Sequence, residues 1–219
     1  LFRSLLQLCK AEHIPVVRVP DAKLNRITRK NHQGVIAQMS TIAYASLDNV
    51  IDQCYAVGKA PLILVLNHLT DVRNFGAIAR TAECAGVDAI VIPEKGSAQI
   101  NSDAVKTSAG ALNFIPVARV KNLFYTCRDL QKMGLSLIAI TEKTEKLMYD
   151  GDFASPVALI MGSEEDGISQ EIMGMVDDRV KIPLAGSIER KQVRIVYIKF
   201  NGSRQGRAAA GTGYVKQDS

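Results

Sequence analysis

This sequence predicts an α/β fold with a mostly parallel sheet covered on both faces, and three observations carry that prediction. From Pro61 onward, short apolar runs alternate with segments of helical period, the order that builds parallel strands joined by crossover helices. Two of the runs, "LILVLNH" and "PVALIMG", are continuously apolar rather than alternating, which marks strands buried between two helical layers. With 219 residues, 47% of them hydrophobic and 22% charged, the chain can also bury a core of ordinary size.

Residues 1–42 read as a small α/β unit. "LFRSLLQLCKAEH" sets Leu1, Leu5, Leu6 and Cys9 at helical spacing. "IPVVRV" reads as a strand, "DAKLNRIT" as a helix capped at Asp21, and "GVIAQM" as a second strand. The unit opens on Leu1 rather than Met and is expected to lack its first elements. A boundary is expected near Ile42 to Ser46, with a linker and a helix from Leu47 filling 43–60. The second domain is assigned to 61–219. In it "LILVLNH" is the first strand, Phe75 to Ala85 a helix, and "DAIVIP" the next strand. "NSDAVKTSAGAL" reads as a helix, "FIPVARV" as a strand, "NLFYTCRDLQKM" as a helix and "LSLIAIT" as a strand. "PVALIMG" then leads through the loop "SEEDGIS" and a short helix to "RVKIPL".

Composition narrows the function classes. A net charge of +5 suits a polyanionic partner without demanding one. Cys9, Cys54, Cys84 and Cys127 are scattered, as are His13, His32 and His68, so reduced thiols and no metal site are expected. No apolar run nears the ~20 residues of a membrane helix. Lys10, Glu12 and His13 break the only early apolar stretch, so no secretory leader is read and the protein is expected to be cytoplasmic. Neither Gly-x-Gly-x-x-Gly nor a phosphate loop is present.

Ligands on parallel sheets sit at the carboxyl ends of strands, and three loops leave those ends: Thr70 to Gly76, Gly162 to Gly167, and Leu184 onward. In the first, Asn74, Gly76 and Arg80 suit a site in which Gly76 admits a close backbone or a phosphate. They equally suit an Asn N-cap, a packing glycine and a solvent-facing arginine. In the second, "MGSEEDGIS", two glycines flank Glu164, Glu165 and Asp166, either as a carboxylate site or as a polar turn before a helix capped by Ser169. In the third, "KIPLAGSIE", Pro183 and Gly186 fix a loop whose carbonyls can face an adenine edge, or simply make a turn. His68, after the first strand, is a further candidate base or a structural histidine. The basic residues Arg190, Lys191, Arg194, Lys199, Arg204 and Arg207 grip phosphate or form a solvated tail.

Taken in order, "LNHLTDVRNFGAIARTAECAGVDAIVIP", "KTSAGA", "LIMGSEEDGIS" and "KIPLAGSIE" resemble the SpoU (TrmH-like) branch of the SPOUT RNA methyltransferases. The resemblance covers roughly Pro61 to Glu189. The opening residues are similar to that family's small RNA-binding domain, and "NHQGVIAQMS" resembles a string of the type acting on 23S ribosomal RNA. The resemblance implies a deep trefoil knot, a homodimer, and S-adenosylmethionine as methyl donor. It implies transfer to a ribose 2′-hydroxyl, typically of guanosine, in 23S rRNA first and tRNA as the alternative. By resemblance Arg80 is the catalytic arginine, Asn74 orients it or the ribose, and Glu164 braces the catalytic loops. Gly162, Ile182 and Leu184 fall where the family holds the donor. After "AGSIE" the family pattern continues Ser-Leu-Asn-Val-Ser, and here Arg190, Lys191, Gln192, Val193 and Arg194 stand instead. Lys191 replaces a donor-contacting leucine and Gln192 the asparagine of the catalytic centre, so segment 189–219 is atypical. A frameshifted coding sequence would account for the change and its position, and a catalytically impaired RNA-binding protein is the rival expectation.

Overall fold

The computed structural model describes residues 2–12, 14, 16–37, 42–98, 100–151, 153–163 and 166–182. The chain divides into two compact units, 1–39 and 40–219.

The first unit holds helices α1 (Phe2–Ala11) and α2 (Asp21–Ile27). Pro20, not Asp21, occupies the N-cap position of α2, and Asp21 stands in its first turn. The runs expected as strands over 14–19 and 34–39 carry no β ladder among the described residues. Extended backbone becomes a strand only where a neighbour supplies hydrogen bonds. The "NHQG" string is a tight turn in which Gln33 and Gly34 both adopt left-handed backbone, with φ of 48° and 78°. Asn31 Oδ1 accepts the Gln33 N–H at 3.3 Å and His32 Nδ1 accepts the Gly34 N–H at 3.0 Å. With Nδ1 accepting, the ring proton sits on Nε2 and donates to Asn25 Oδ1 of α2 at 3.1 Å.

The second unit is the α/β domain that the apolar runs predict. After α3 (Leu47–Ala56) come β1 (Leu62–Leu66), α4 (Val72–Cys84), β2 (Ala89–Pro93), α5 (Ser102–Thr107) and β3 (Val117–Val120). Then follow α6 (Leu123–Lys132), β4 (Ser136–Ile140), β5 (Val157–Met161), α7 (Gln170–Met173) and β6 (Asp178–Val180). The six strands form one sheet in the order β3-β2-β1-β5-β4-β6, every pairing parallel. Leu62, Leu64 and Leu66 face Phe75, Ile78 and Ala82 of α4 in one layer. Ile63 and Val65 face Ile51 of α3 and Leu130 of α6 in the other. Both faces of β1 and β5 are therefore buried along all five positions, and each Leu, Ile, Val or Met side chain among them contributes about 1.5–3 kcal/mol on leaving water. Asp88 closes the start of β1 by accepting the Leu62 N–H at 2.9 Å while paired with Lys59.

Strands β1 and β5 are neighbours in the sheet, yet the helices that follow them pack on opposite layers, α4 in the first and α7, through Ile172, in the second. Chains that leave adjacent parallel strands in opposite directions open a crevice at the carboxyl ends of those strands.

Candidate functional site

One wall of that crevice begins where β1 ends. His68 takes a left-handed backbone, φ 59°, a conformation that costs a non-glycine residue about 1 kcal/mol or more. It turns the chain out of the sheet toward α4. The N-cap of α4 is Asp71, whose carboxylate accepts the Asn74 N–H at 2.7 Å. The helix thus starts at Val72, earlier than the Phe75 expected from apolar spacing, and Asn74 lies inside its first turn rather than capping it. Gly76 resolves as a packing residue. A Cβ there would stand 2.7 Å from the Ala104 carbonyl oxygen, 2.8 Å from Thr107 Cβ and 3.1 Å from the Ser108 nitrogen. The "KTSAGA" string is the partner in this approach. Helix α5 stops at Thr107, Ser108 is fully buried, and Ala109 and Gly110 turn left-handed at φ 50° and 89°.

Arg80 is exposed on α4, its side chain leaning back toward the helix N-terminus and hence toward the carboxyl end of the sheet. It makes no hydrogen bond or ion pair among the described residues. Six residues separate it from Asn74, about 120° around a helix, so the two do not share a face. Arg73, seven residues before Arg80 and also exposed, lies on nearly the same stripe about 10 Å away along the axis.

The second wall is the loop after β5. Gly162 has no room for a side chain, because a Cβ would meet Gly167 C at 2.0 Å, Gly167 O at 2.3 Å and Ile168 N at 2.4 Å. Ser163 closes the loop on itself. Its carbonyl accepts the Gly167 N–H at 3.0 Å and its hydroxyl the Asp166 N–H at 3.0 Å, with Gly167 at φ 69°. Ser169 sits at the N-cap position of α7 without capping it. Its hydroxyl instead accepts a hydrogen bond from Asn67 Nδ2 at 3.2 Å, which joins the loop to the end of β1.

The third segment is placed by β6. Lys181 pairs with Leu147 in an isolated parallel bridge and its ammonium contacts Glu145 at 2.6 Å, while Lys146 contacts Asp178 at 2.6 Å. These ammonium hydrogen bonds hold the Asp178 and Glu145 carboxyls below their ordinary values. Ile182, just beyond, packs half-buried against the layer that contains α4. Glu164, Leu184, Lys191 and Gln192, and the residues expected to form the knot, lie outside the described residues.

Of the eight site residues expected from sequence, the structure therefore places Asn74, Arg80, Gly162 and Ile182, on the three segments that end β1, β5 and β6. Asn67, Ser169 and Arg73 were not expected. The only signal for Asn67 was a polar residue closing a run of five apolar ones. A separate cleft of about 240 Å³ at the β3 edge is lined by Ser46, Asp48, Arg119 and Asp129 among others and contains none of the site residues. Two carboxylates in its wall make it a poor receptacle for phosphate. Among the described residues no cluster of His, Cys, Asp and Glu has metal-binding geometry, and no helix is long and apolar enough to cross a membrane.

A doubly wound sheet, parallel throughout its described strands, with a crevice between the segments that leave β1 and β5, is the architecture in which α/β proteins place ligands at strand ends. Comparison with known proteins supplies the family. Residues 61–190 match the SpoU rRNA methylase family and residues 1–45 match the RNA 2′-O ribose methyltransferase substrate-binding family. The chain belongs to the SpoU rRNA methylase family. An uncharacterised tRNA/rRNA methyltransferase of Synechocystis is 36% identical over 186 residues, 84% of this chain and 48% of its own length. The 23S rRNA (guanosine-2′-O-)-methyltransferase RlmB of Vibrio parahaemolyticus is 35% identical over 188 residues, 82% of this chain and 76% of its own. The chain thus spans about half of the first relative and three quarters of the second. Among solved structures, an AdoMet-bound rRNA methyltransferase of Sinorhizobium meliloti superposes with a TM-score of 0.52 at 26% identity, over 59% of this chain and 49% of that one.

Proposed function

We propose that this chain transfers a methyl group from S-adenosylmethionine to a ribose 2′-hydroxyl of RNA, in the first instance a guanosine of 23S ribosomal RNA. The observation that carries the reading is the crevice at the ends of β1 and β5, one wall of which folds so tightly that Gly162 admits no Cβ. A wall made of backbone presents amide and carbonyl groups to a ligand edge. With the buried carboxamide of Asn67 joined to the same loop through Ser169, it suits a ligand with a polar rim, as an adenosine has.

Bound there, S-adenosylmethionine supplies an electrophilic methyl group on a sulfonium leaving group. The protein's part is to align the ribose oxygen and to help its proton depart. Gly162, Ile182 and Leu184 hold the donor, chiefly through backbone groups, and Lys191 and Gln192 stand where the family contacts it and completes the catalytic centre. By its place in the family pattern Glu164 is assigned to bracing the loops. The role of Arg80 is to clamp the phosphate beside the ribose with its fork of donors, and Asn74 orients the ribose. With the donor bound, Arg80 would hold the phosphate whose oxygen takes up the proton that the ribose hydroxyl loses on methylation. The unit over 1–42 is assigned to RNA binding, and the active species to a knotted homodimer in the cytoplasm.

The Vibrio relative favours ribosomal RNA, and methyl transfer to purified 23S rRNA and to tRNA in parallel tests that choice. Preference for 23S rRNA is expected, and preference for tRNA would overturn it. The run Arg190, Lys191, Gln192, two cations and a neutral amide in place of the family pattern, favours a second reading, an RNA-binding protein without turnover. On that reading RNA binds with steep salt dependence and transfer stays at background at saturating donor.

A further inference from the structure

Among the described residues two buried polar side chains stand out in the core of the α/β domain, Ser108 and Asn67. Ser108 is satisfied: its hydroxyl donates to the Val105 carbonyl at 2.8 Å and accepts the Leu112 N–H at 3.4 Å. Asn67, only 2% exposed, is not. Its backbone N–H donates to the Met161 carbonyl at 2.7 Å and its Nδ2 to Ser169 Oγ at 3.2 Å. Its Oδ1 is buried without a hydrogen-bond partner among the described residues. Whichever way the carboxamide faces, Ser169 satisfies one end and the other is left over. Buried carbonyl oxygens almost always find a donor, so an unmatched one calls for a reason.

Its place in the fold supplies one. Asn67 ends the strand at the topological switch, directly before the strained turn at His68, and it touches both the last residue of β5 and the end of the loop that follows. We propose that Asn67 is a positioning residue of the donor site. Its Nδ2 ties the 162–169 loop to β1 through Ser169, and its Oδ1 accepts a hydrogen bond from a hydroxyl or amino hydrogen of bound S-adenosylmethionine. The inference rests on the function proposed above.

The role separates stability from binding. Asn67→Leu keeps the branched outline of the side chain, removes the unmatched oxygen together with the Ser169 hydrogen bond, and abolishes the acceptor. Asn67→Asp keeps an acceptor in place and lets the Ser169 hydroxyl donate to its second oxygen. The full chain and both variants are melted without donor and titrated with S-adenosylmethionine by calorimetry. N67L is expected to melt at or above the wild-type temperature while its donor affinity falls about tenfold, the worth of one hydrogen bond. N67D is expected to bind within about threefold of wild type. Wild-type affinity in N67L would overturn the proposal, as would parallel losses of melting temperature and affinity in both variants. If N67L fails to fold, a tenfold or greater loss in a folded N67D overturns it alone. Absence of donor binding in the folded wild type would instead sink the donor assignment itself.

Discussion

Gly162→Ala is the substitution on which the geometry makes its firmest demand. The added methyl group would lie 2.0 Å from the Gly167 carbonyl carbon. Ordinary contact begins near 3.4 Å, so the loop must retreat by the difference, about 1.4 Å, and the obstructing atoms are backbone that no rotamer change can move. Misplacing a reacting group by about 1 Å costs on the order of a hundredfold in rate, so transfer is expected to fall by at least that factor. Stability suffers less. Overpacking costs about 1–3 kcal/mol, and a domain of this size loses about 2–4 °C per kcal/mol, so the melting temperature drops by roughly 2–12 °C. Initial rates of labelled-methyl incorporation into rRNA and a circular-dichroism melt read the two effects separately. Wild-type turnover in a folded G162A variant would refute the assignment of this loop to the reaction.

Other substitutions probe the remaining walls. Arg80→Ala is expected to reduce transfer by at least a hundredfold with donor affinity unchanged and the melting free energy within about 0.5 kcal/mol, since the side chain is exposed; wild-type-like turnover would remove Arg80 from the mechanism. Arg73→Gln, on the same stripe, should reduce the slope of log affinity for RNA against log salt by about one, and an unchanged slope would show that Arg73 meets no phosphate. Burial pushes the Cys127 thiol up to about 12, so at pH 8 an alkylating reagent should modify exposed Cys84 and spare Cys127 in the folded protein. Prompt modification of Cys127, read by peptide mass, would contradict its packing. Asp178 is held below its ordinary value by Lys146. Its contribution is complete above the unfolded value of about 3.9 and disappears as pH falls through the lower folded value. Asp178→Asn should therefore lower the melting temperature slightly at pH 7 and lose that effect as pH falls through the lowered folded value.

The sheet was legible because burial on both faces removes the alternation that a half-exposed strand shows, and β1 and β5 carry that mark in full. Boundaries set by side-chain hydrogen bonds were less so. The α4 start moved because Asp71 caps it, and α5 ends at Thr107 because the approach of Gly76 and the left-handed pair Ala109–Gly110 stop it. Asn67 and Ser169 are 102 residues apart, and no spacing rule links them until β1 and β5 are laid side by side. Ser169 shows the same limit in miniature: the sequence offers a helix cap, and the fold spends its hydroxyl on a distant amide.

The central claim is that the methyl group ends on a ribose oxygen. The full chain is incubated with methyl-labelled S-adenosylmethionine and unmodified 23S rRNA, and the RNA is digested to nucleosides and resolved by mass spectrometry. Label in 2′-O-methylguanosine, lost in the Arg80→Ala variant, is the predicted result. Label on a base, or no label from a chain that binds both donor and RNA, would contradict it.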